Sequence, residues 1–156
     1  MIKKIDNFCF DGVENIKVFL QDNKDLCTPH PLFGGSGGIS SYEFYGKLFQ
    51  QFSIFDSFSK SLVDCTQHFL LDMWYNVGPP GSYVKPHNHQ SQKYNKCISG
   101  VYYVNKPKNS GNLVLEGTEL SVNSGDLVLF EDTCIHWTNK NMSNENRIVI
   151  SFNLCK

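Results

Sequence analysis

Long apolar runs are missing from this chain of 156 residues: none approaches the roughly 20 that a helix needs to cross a bilayer. An excess of charge of either sign is missing too. Fourteen Lys and Arg against fifteen Asp and Glu leave a formal net charge of −1, so nothing electrostatic favours nucleic acid or an anionic membrane as the main partner. No Cys-x-x-Cys pair occurs; the six cysteines, at positions 9, 27, 65, 97, 134 and 155, stand singly. An even count permits disulfides. The opening residues, Met1-Ile-Lys-Lys-Ile-Asp, lack the apolar core of a signal peptide, so a cytoplasmic protein with reduced cysteines is expected. Internal repeats and low-complexity tails are absent, and the length suits one domain, 1–156, with a proper core. What is abundant is aromatic: 12 Phe, 7 Tyr and 2 Trp.

The chain divides by hydrophobic period. Residues 1–68 read as a helical support layer. Asp11 and Glu14 have capping-box spacing, and Val13, Ile16, Phe19 and Leu20 follow at helical intervals to about Asn23. A breaker-rich segment, 28–38, ends in small residues and reads as a mobile linker between helices or a lid. Ser40 and Glu43 repeat the capping spacing ahead of Phe44, Leu48, Phe49, Phe52 and Phe55, and a further helical piece covers 57–65. From residue 69 the period becomes two. Strands are expected at 69–77, 82–85, 96–104, 112–116, 126–130 and 147–154, separated by turn signals such as Gly78-Pro-Pro-Gly81 and Asn123-Ser-Gly125. Short strands so spaced, after a helical layer, predict a mainly β (α+β) jelly-roll barrel in residues 69–156.

The chemistry concentrates between Gly81 and His136. On an extended strand, side chains two apart point the same way, so His87 and His89 present their imidazoles to one face with Asn88 turned outward. Pro86 favours that extended approach. His136 follows a buried-strand pattern, Gly125-Asp-Leu-Val-Leu-Phe130, and can complete a set of three nitrogens around one ion. Imidazole suits iron, zinc, copper or nickel alike, so ligand type alone does not choose the metal. His30 and His68 stand alone and receive no role.

The last strand carries a second clue. Arg147, Val149, Ser151 and Asn153 alternate on one face, while Ile148, Ile150 and Phe152 form a wholly apolar second face. The apolar side faces a core, so the side with Arg147 and Ser151 lines a polar cavity where a guanidinium can hold a carboxylate. Cys97, Ser99, Val101 and Tyr103 alternate together, which lets Tyr103 reach the same carboxylate. The competing expectation is a surface arginine paired with Glu131 or Asp132. Trp74 and Trp137 are candidates for the cavity border.

These residues together resemble the 2-oxoglutarate/Fe(II)-dependent oxygenase superfamily. The resemblance lies in His87-Asn-His89, Ser99-Gly-Val-Tyr-Tyr-Val104, Pro107, Ser110-Gly111, His136 and Arg147-Ile-Val-Ile-Ser-Phe-Asn153, within residues 73–153. It implies a double-stranded β-helix, Fe(II) held by His87, His89 and His136, and 2-oxoglutarate as co-substrate, with ascorbate as an accessory reductant. It further implies that Arg147 and Tyr103 bind the distal carboxylate, with Asn76 and Ser151 nearby. The implied activity is hydroxylation of a substrate with release of succinate and CO2. The substrate, small molecule or peptide, and the oligomeric state are not encoded in any motif. One departure stands out: the superfamily's common site has two His and one carboxylate, and His89 occupies the carboxylate's position. Asp132 is a substitute ligand only if its loop folds inward.

Cupins share the barrel and supply the rival reading, a three-His dioxygenase that does not use 2-oxoglutarate, or a non-catalytic metal-binding jelly roll. Gly81 to His89 satisfies their Gly-x5-His-x-His. Against them, their glutamate falls at Lys93 and their Pro-x-Gly at Glu131-Asp-Thr133. Arg147 with Tyr103 favours the oxoglutarate enzyme.

Overall fold

The computed structural model describes all 156 residues. Its twelve strands, in chain order, are β1 (Ile2–Ile5), β2 (Thr28–Pro29), β3 (Phe33–Gly35), β4 (Ile39–Ser40), β5 (Phe69–Gly78) and β6 (Ser82–Val84), then β7 (Ile98–Asn105), β8 (Leu113–Leu115), β9 (Thr118–Leu120), β10 (Leu127–Glu131), β11 (His136–Thr138) and β12 (Arg147–Cys155). A seven-stranded antiparallel sheet runs β1-β10-β7-β12-β5-β4-β2, and two smaller sheets, β11-β8-β9 and β3-β6, face it. The fold is the jelly roll that the alternating periods predict.

β12 is the hub, paired with β5 on one side and β7 on the other. Its even residues, Ile148, Ile150, Phe152 and Leu154, join Met73, Tyr75, Val77, Ile98 and Tyr102 in one apolar layer. The helices α1 (Val13–Asp22) and α4 (Asp56–Thr66) cover that layer with Ile16, Leu20, Phe58 and Leu62. Burying each such side chain contributes roughly 1.5–3 kcal/mol before the entropy of ordering is charged. Gly100 makes room here, because a Cβ on it would lie 2.2 Å from the ring of Phe152. The odd residues of β12 face the other way, into the space between the sheets, beside a second, smaller core of Val101, Leu113, Leu115, Val128 and Phe130.

Three local expectations are corrected. The first helix starts at Val13 after Gly12, whose φ of 86° turns the chain, and no side chain caps it. Asp11 lies one residue too early. The aromatic stripe from Phe44 to Phe55 does not form one helix. Two short helices, α2 (Tyr42–Tyr45) and α3 (Leu48–Gln51), and a 3-10 turn at Ser53–Phe55 form instead, because strand β5 recruits the backbone between α2 and α3: Met73 N donates to Gly46 O at 2.9 Å. Phe44 is left exposed.

The third correction matters for the site. Residues 28–38 are not a mobile linker: β2 pairs with β4, and β3 with β6. The glycines serve close approach. Gly35 has φ +67°, and a Cβ there would lie 2.2 Å from Gly81 O; Gly37 has φ +80° with nothing within 4 Å. Gly37→Ala is therefore expected to cost only the left-handed backbone penalty, about 1 kcal/mol, and Gly35→Ala at least about 2 kcal/mol more, read as midpoints of denaturant unfolding. Equal losses would return the segment to a loosely held linker.

Candidate active site

The polar face of β12 and the matching faces of β5 and β7 enclose a cavity of about 570 Å³. Arg147, Val149, Ser151 and Asn153 line it, as the alternation requires, and so do Trp74, Asn76, Val101 and Tyr103. Trp137 borders it as well. His87, His89 and His136 stand in its wall.

Backbone pairing brings the three histidines together. His87 and His136 form an antiparallel bridge: His87 N donates to His136 O at 3.1 Å and His136 N to His87 O at 2.9 Å. His89 is tied from outside by Asp132, whose carbonyl accepts from His89 N at 2.9 Å and whose carboxylate accepts from Ser91 N at 3.0 Å. Asp132 thus clamps residues 89–91 and is not a ligand; the converging ligand atoms are those of the three histidines, all within 4.8 Å of one another.

The tautomers follow from the partners. Each Nδ1 faces an oxygen that can only accept: Lys85 O at 2.8 Å for His87, Asn153 Oδ1 at 3.1 Å for His89, Cys134 O at 2.9 Å for His136. The ring protons therefore sit on Nδ1 and the lone pairs on Nε2. Nε2 of His87 and Nε2 of His89 are 3.1 Å apart. Two nitrogens each about 2.1 Å from one ion and at right angles to each other have about that separation. Two bare lone pairs at this distance repel, so the donor set fits a cation. Burial is the largest cause holding all three rings neutral; His136 and His87 add to it at His89, and His87 adds to it at His136. The proton affinity of His87 is lowered, that of His89 is pushed down to about 3 and that of His136 to about 4. Neutral imidazole is the form that ligates metal. The ring of Trp74 packs on His89 at 5.4 Å between centroids and Phe130 on His136 at 4.6 Å, which limits ring rotation.

Arg147, the only arginine in the chain, is 4% exposed and makes no ion pair, so neither Glu131 nor Asp132 partners it. Glu131 binds the N-terminal amine instead. Nη1 donates to Ser110 O, to Gly111 O at 3.3 Å and to Asn139 O at 3.4 Å; Nη2 donates to Thr138 Oγ1 at 2.9 Å. Carbonyls fix the fork but do not neutralise it. Burial lowers the proton affinity of Arg147, yet a guanidinium stays charged in protein, so a cation stands in the cavity wall with no protein anion against it. Tyr103, 1% exposed, shares that wall, and burial raises its hydroxyl pKa, keeping it a neutral donor. Asn76 Nδ2 donates to Ser151 Oγ at 3.3 Å on the cavity floor.

Sequence reasoning passed over several residues. Alternation puts Asn153 on the right face without revealing its role, and no local pattern marks Thr138, two after His136, though its hydroxyl meets both Arg147 and Val84 N. His30, given no function, lines the cavity; His68 does not. The cysteines also need correction. Cys97 and Cys155 are disulfide-bonded, with Cα atoms 4.2 Å apart, while Cys9, Cys27, Cys65 and Cys134 are free. The pairing of Ile98 with Leu154 sets the neighbouring cysteines opposite each other, which a sequence separation of 58 conceals.

Comparison with known proteins points the same way. Residues 72–124 match the family described as "Putative 2OG-Fe(II) oxygenase". No curated protein matches the chain in sequence. Among solved structures, the chain is similar to a Pseudomonas putida prolyl-4-hydroxylase (TM-score 0.68, 16% identity, 99% of this chain and 92% of that one). It is also similar to HygX from Streptomyces hygroscopicus with nickel, 2-oxoglutarate and hygromycin B bound (0.74, 13%, 99% and 82%). A third is the viral collagen prolyl hydroxylase of Paramecium Bursaria Chlorella virus-1 in its 2OG complex (0.65, 13%, 99% and 96%). At these identities the likeness establishes the fold. The resemblance read from the sequence is thus met by the family match at residues 72–124, and the fold is shared with these structures over nearly the whole chain.

Proposed function

We propose that the protein is a 2-oxoglutarate- and Fe(II)-dependent oxygenase that hydroxylates an organic substrate. His87, His89 and His136 would hold the iron through Nε2, and Arg147 with Tyr103 would hold the distal carboxylate of 2-oxoglutarate, with Asn76 and Ser151 beside it. The bound metal and keto acid supply oxidation of a substrate C–H by O2, with succinate and CO2 released. The chain's part is geometry: three carbonyl-type oxygens fix the imidazole tautomers, and three backbone carbonyls and Thr138 aim the guanidinium.

One observation carries the reading: a buried guanidinium without an acid partner opens on the same cavity as three lone-pair nitrogens. In a three-His dioxygenase of the cupin kind the guanidinium would have to meet an anionic primary substrate instead, so dependence on 2-oxoglutarate separates the two readings. Anaerobically reconstituted protein, supplied with Fe(II), ascorbate, 2-oxoglutarate and then air, is expected to release succinate with a matching loss of 2-oxoglutarate, and a chelator should stop it. Oxygen uptake indifferent to 2-oxoglutarate would move the protein to the cupin reading.

A further inference from the structure

We propose that Asp72, acting through Asn153, returns to the metal site at one remove the negative charge that His89 does not carry. This rests on the metal reading above and extends it to two residues that do not themselves ligate.

The side chain of Asn153 sits between three groups. Its Oδ1 accepts from His89 Nδ1 at 3.1 Å and from Ser99 Oγ at 2.8 Å, and its Nδ2 donates to Asp72 Oδ2 at 3.4 Å. Only one amide orientation serves all three. The carboxylate needs a donor, so the nitrogen must face Asp72, and the oxygen then faces the ring and the hydroxyl. The chain carboxylate–amide–imidazole is thus polarised in one direction, and electron density is pushed toward Nε2 of His89. His87 and His136 have no such support, since their Nδ1 atoms bond plain backbone carbonyls. The supported ring is the one that stands where the superfamily's carboxylate ligand does.

Position supports the assignment. Asp72 lies on β5 opposite Asn153 in register, and both line the cavity. Asp72 Oδ1 is 3.8 Å from Lys47 Nζ, which is half-exposed and gives its own short hydrogen bond to Leu71 O at 2.7 Å, so Oδ2 is left for Asn153. Asn153 and Asp72 are positioning residues, since neither touches the ion.

Cobalt(II) alone is a suitable probe, with affinity measured by calorimetry under argon and the visible absorption recorded on the same samples. Asn153→Leu is expected to weaken Co(II) binding roughly 10–100-fold and Asp72→Asn by somewhat less, with changed absorption in both. The decisive variant is the exchange Asp72→Asn with Asn153→Asp, which keeps the net charge and moves the carboxylate into direct contact with the imidazole. It is expected to bind Co(II) at least as tightly as the parent protein. A merely structural role for the two side chains predicts that the exchange does no better than Asp72→Asn alone, and that result overturns the inference. So does an Asp72→Asn variant that binds like the parent. Circular dichroism on each variant shows whether the fold is kept, and the exchange variant supplies the comparison should Asn153→Leu fail to fold. A parent protein that takes up no Co(II) overturns the metal reading and this inference with it, whereas normal uptake with unmoved variants overturns this inference alone.

Discussion

His136→Ala is expected to release no measurable succinate from 2-oxoglutarate, while His68→Ala releases it at the parent rate. The asymmetry follows from where the two rings are. His136 is 4% exposed and one of three nitrogens within 4.8 Å of one another; the ring of His68 lies outside the cavity, with Nδ1 against Thr66 O at 2.6 Å. Residues that only orient a ligand are worth about 10–100-fold in metal affinity or activity, so loss of a ligand itself should exceed about 10²-fold. The backbone bridge to His87 uses main-chain atoms and survives the substitution, so His87 and His89 stay in place. The ring of His136 also packs on Phe130, and its removal leaves a small void that lowers stability as well. Thermal unfolding of the variant separates the two effects: a folded protein that is inactive supports the assignment. Succinate release that survives in His136→Ala sinks it, whatever happens at His68.

How much of this was legible in the sequence depended on the range of the interaction that fixed each feature. The period-two alternation of β12 predicts both of its faces, because a strand buried on two sides by unlike surroundings writes both into its side chains: Ile148, Ile150 and Phe152 for the helices, Arg147 and Ser151 for the cavity. His87 and His89 are legible for the same reason. What could not be read is whatever depends on a partner far along the chain. Gly35 looks like a flexible hinge until Gly81 O is seen against it. Gly46 and Lys47 look helical until Met73 claims the carbonyl of Gly46. Cys97 and Cys155 look unrelated until β7 and β12 pair. Asn153 is the instructive intermediate case. Alternation set it on the cavity face beside Arg147 and Ser151, yet its role lies in the register that brings it beside Asp72 and His89, which no local pattern encodes.

Arg147→Met is expected to raise the KM for 2-oxoglutarate by about 10²-fold and to leave Co(II) binding unchanged. Removing one member of a buried, hydrogen-bonded charge pair costs on the order of 3 kcal/mol, and about 1.4 kcal/mol corresponds to tenfold. The guanidinium is the only cation of its kind in the chain, and its fork is already aimed by Ser110, Gly111, Asn139 and Thr138, so little entropy is lost when an anion docks. Arg147→Lys should recover only part of the loss. An ammonium can supply the charge, but it cannot reach three carbonyls and a carboxylate with the same planar fork. Tyr103→Phe removes one neutral donor from the same anion and should cost less, about 1 kcal/mol or roughly fivefold in KM. Stability is the control. Methionine leaves the carbonyls of Ser110, Gly111 and Asn139 without their donor, so Tm should fall whichever role is right. A fall in Tm with the KM for 2-oxoglutarate unmoved would make Arg147 a brace between β12 and the 110–111 turn, and the anion would then have to bind elsewhere in the cavity.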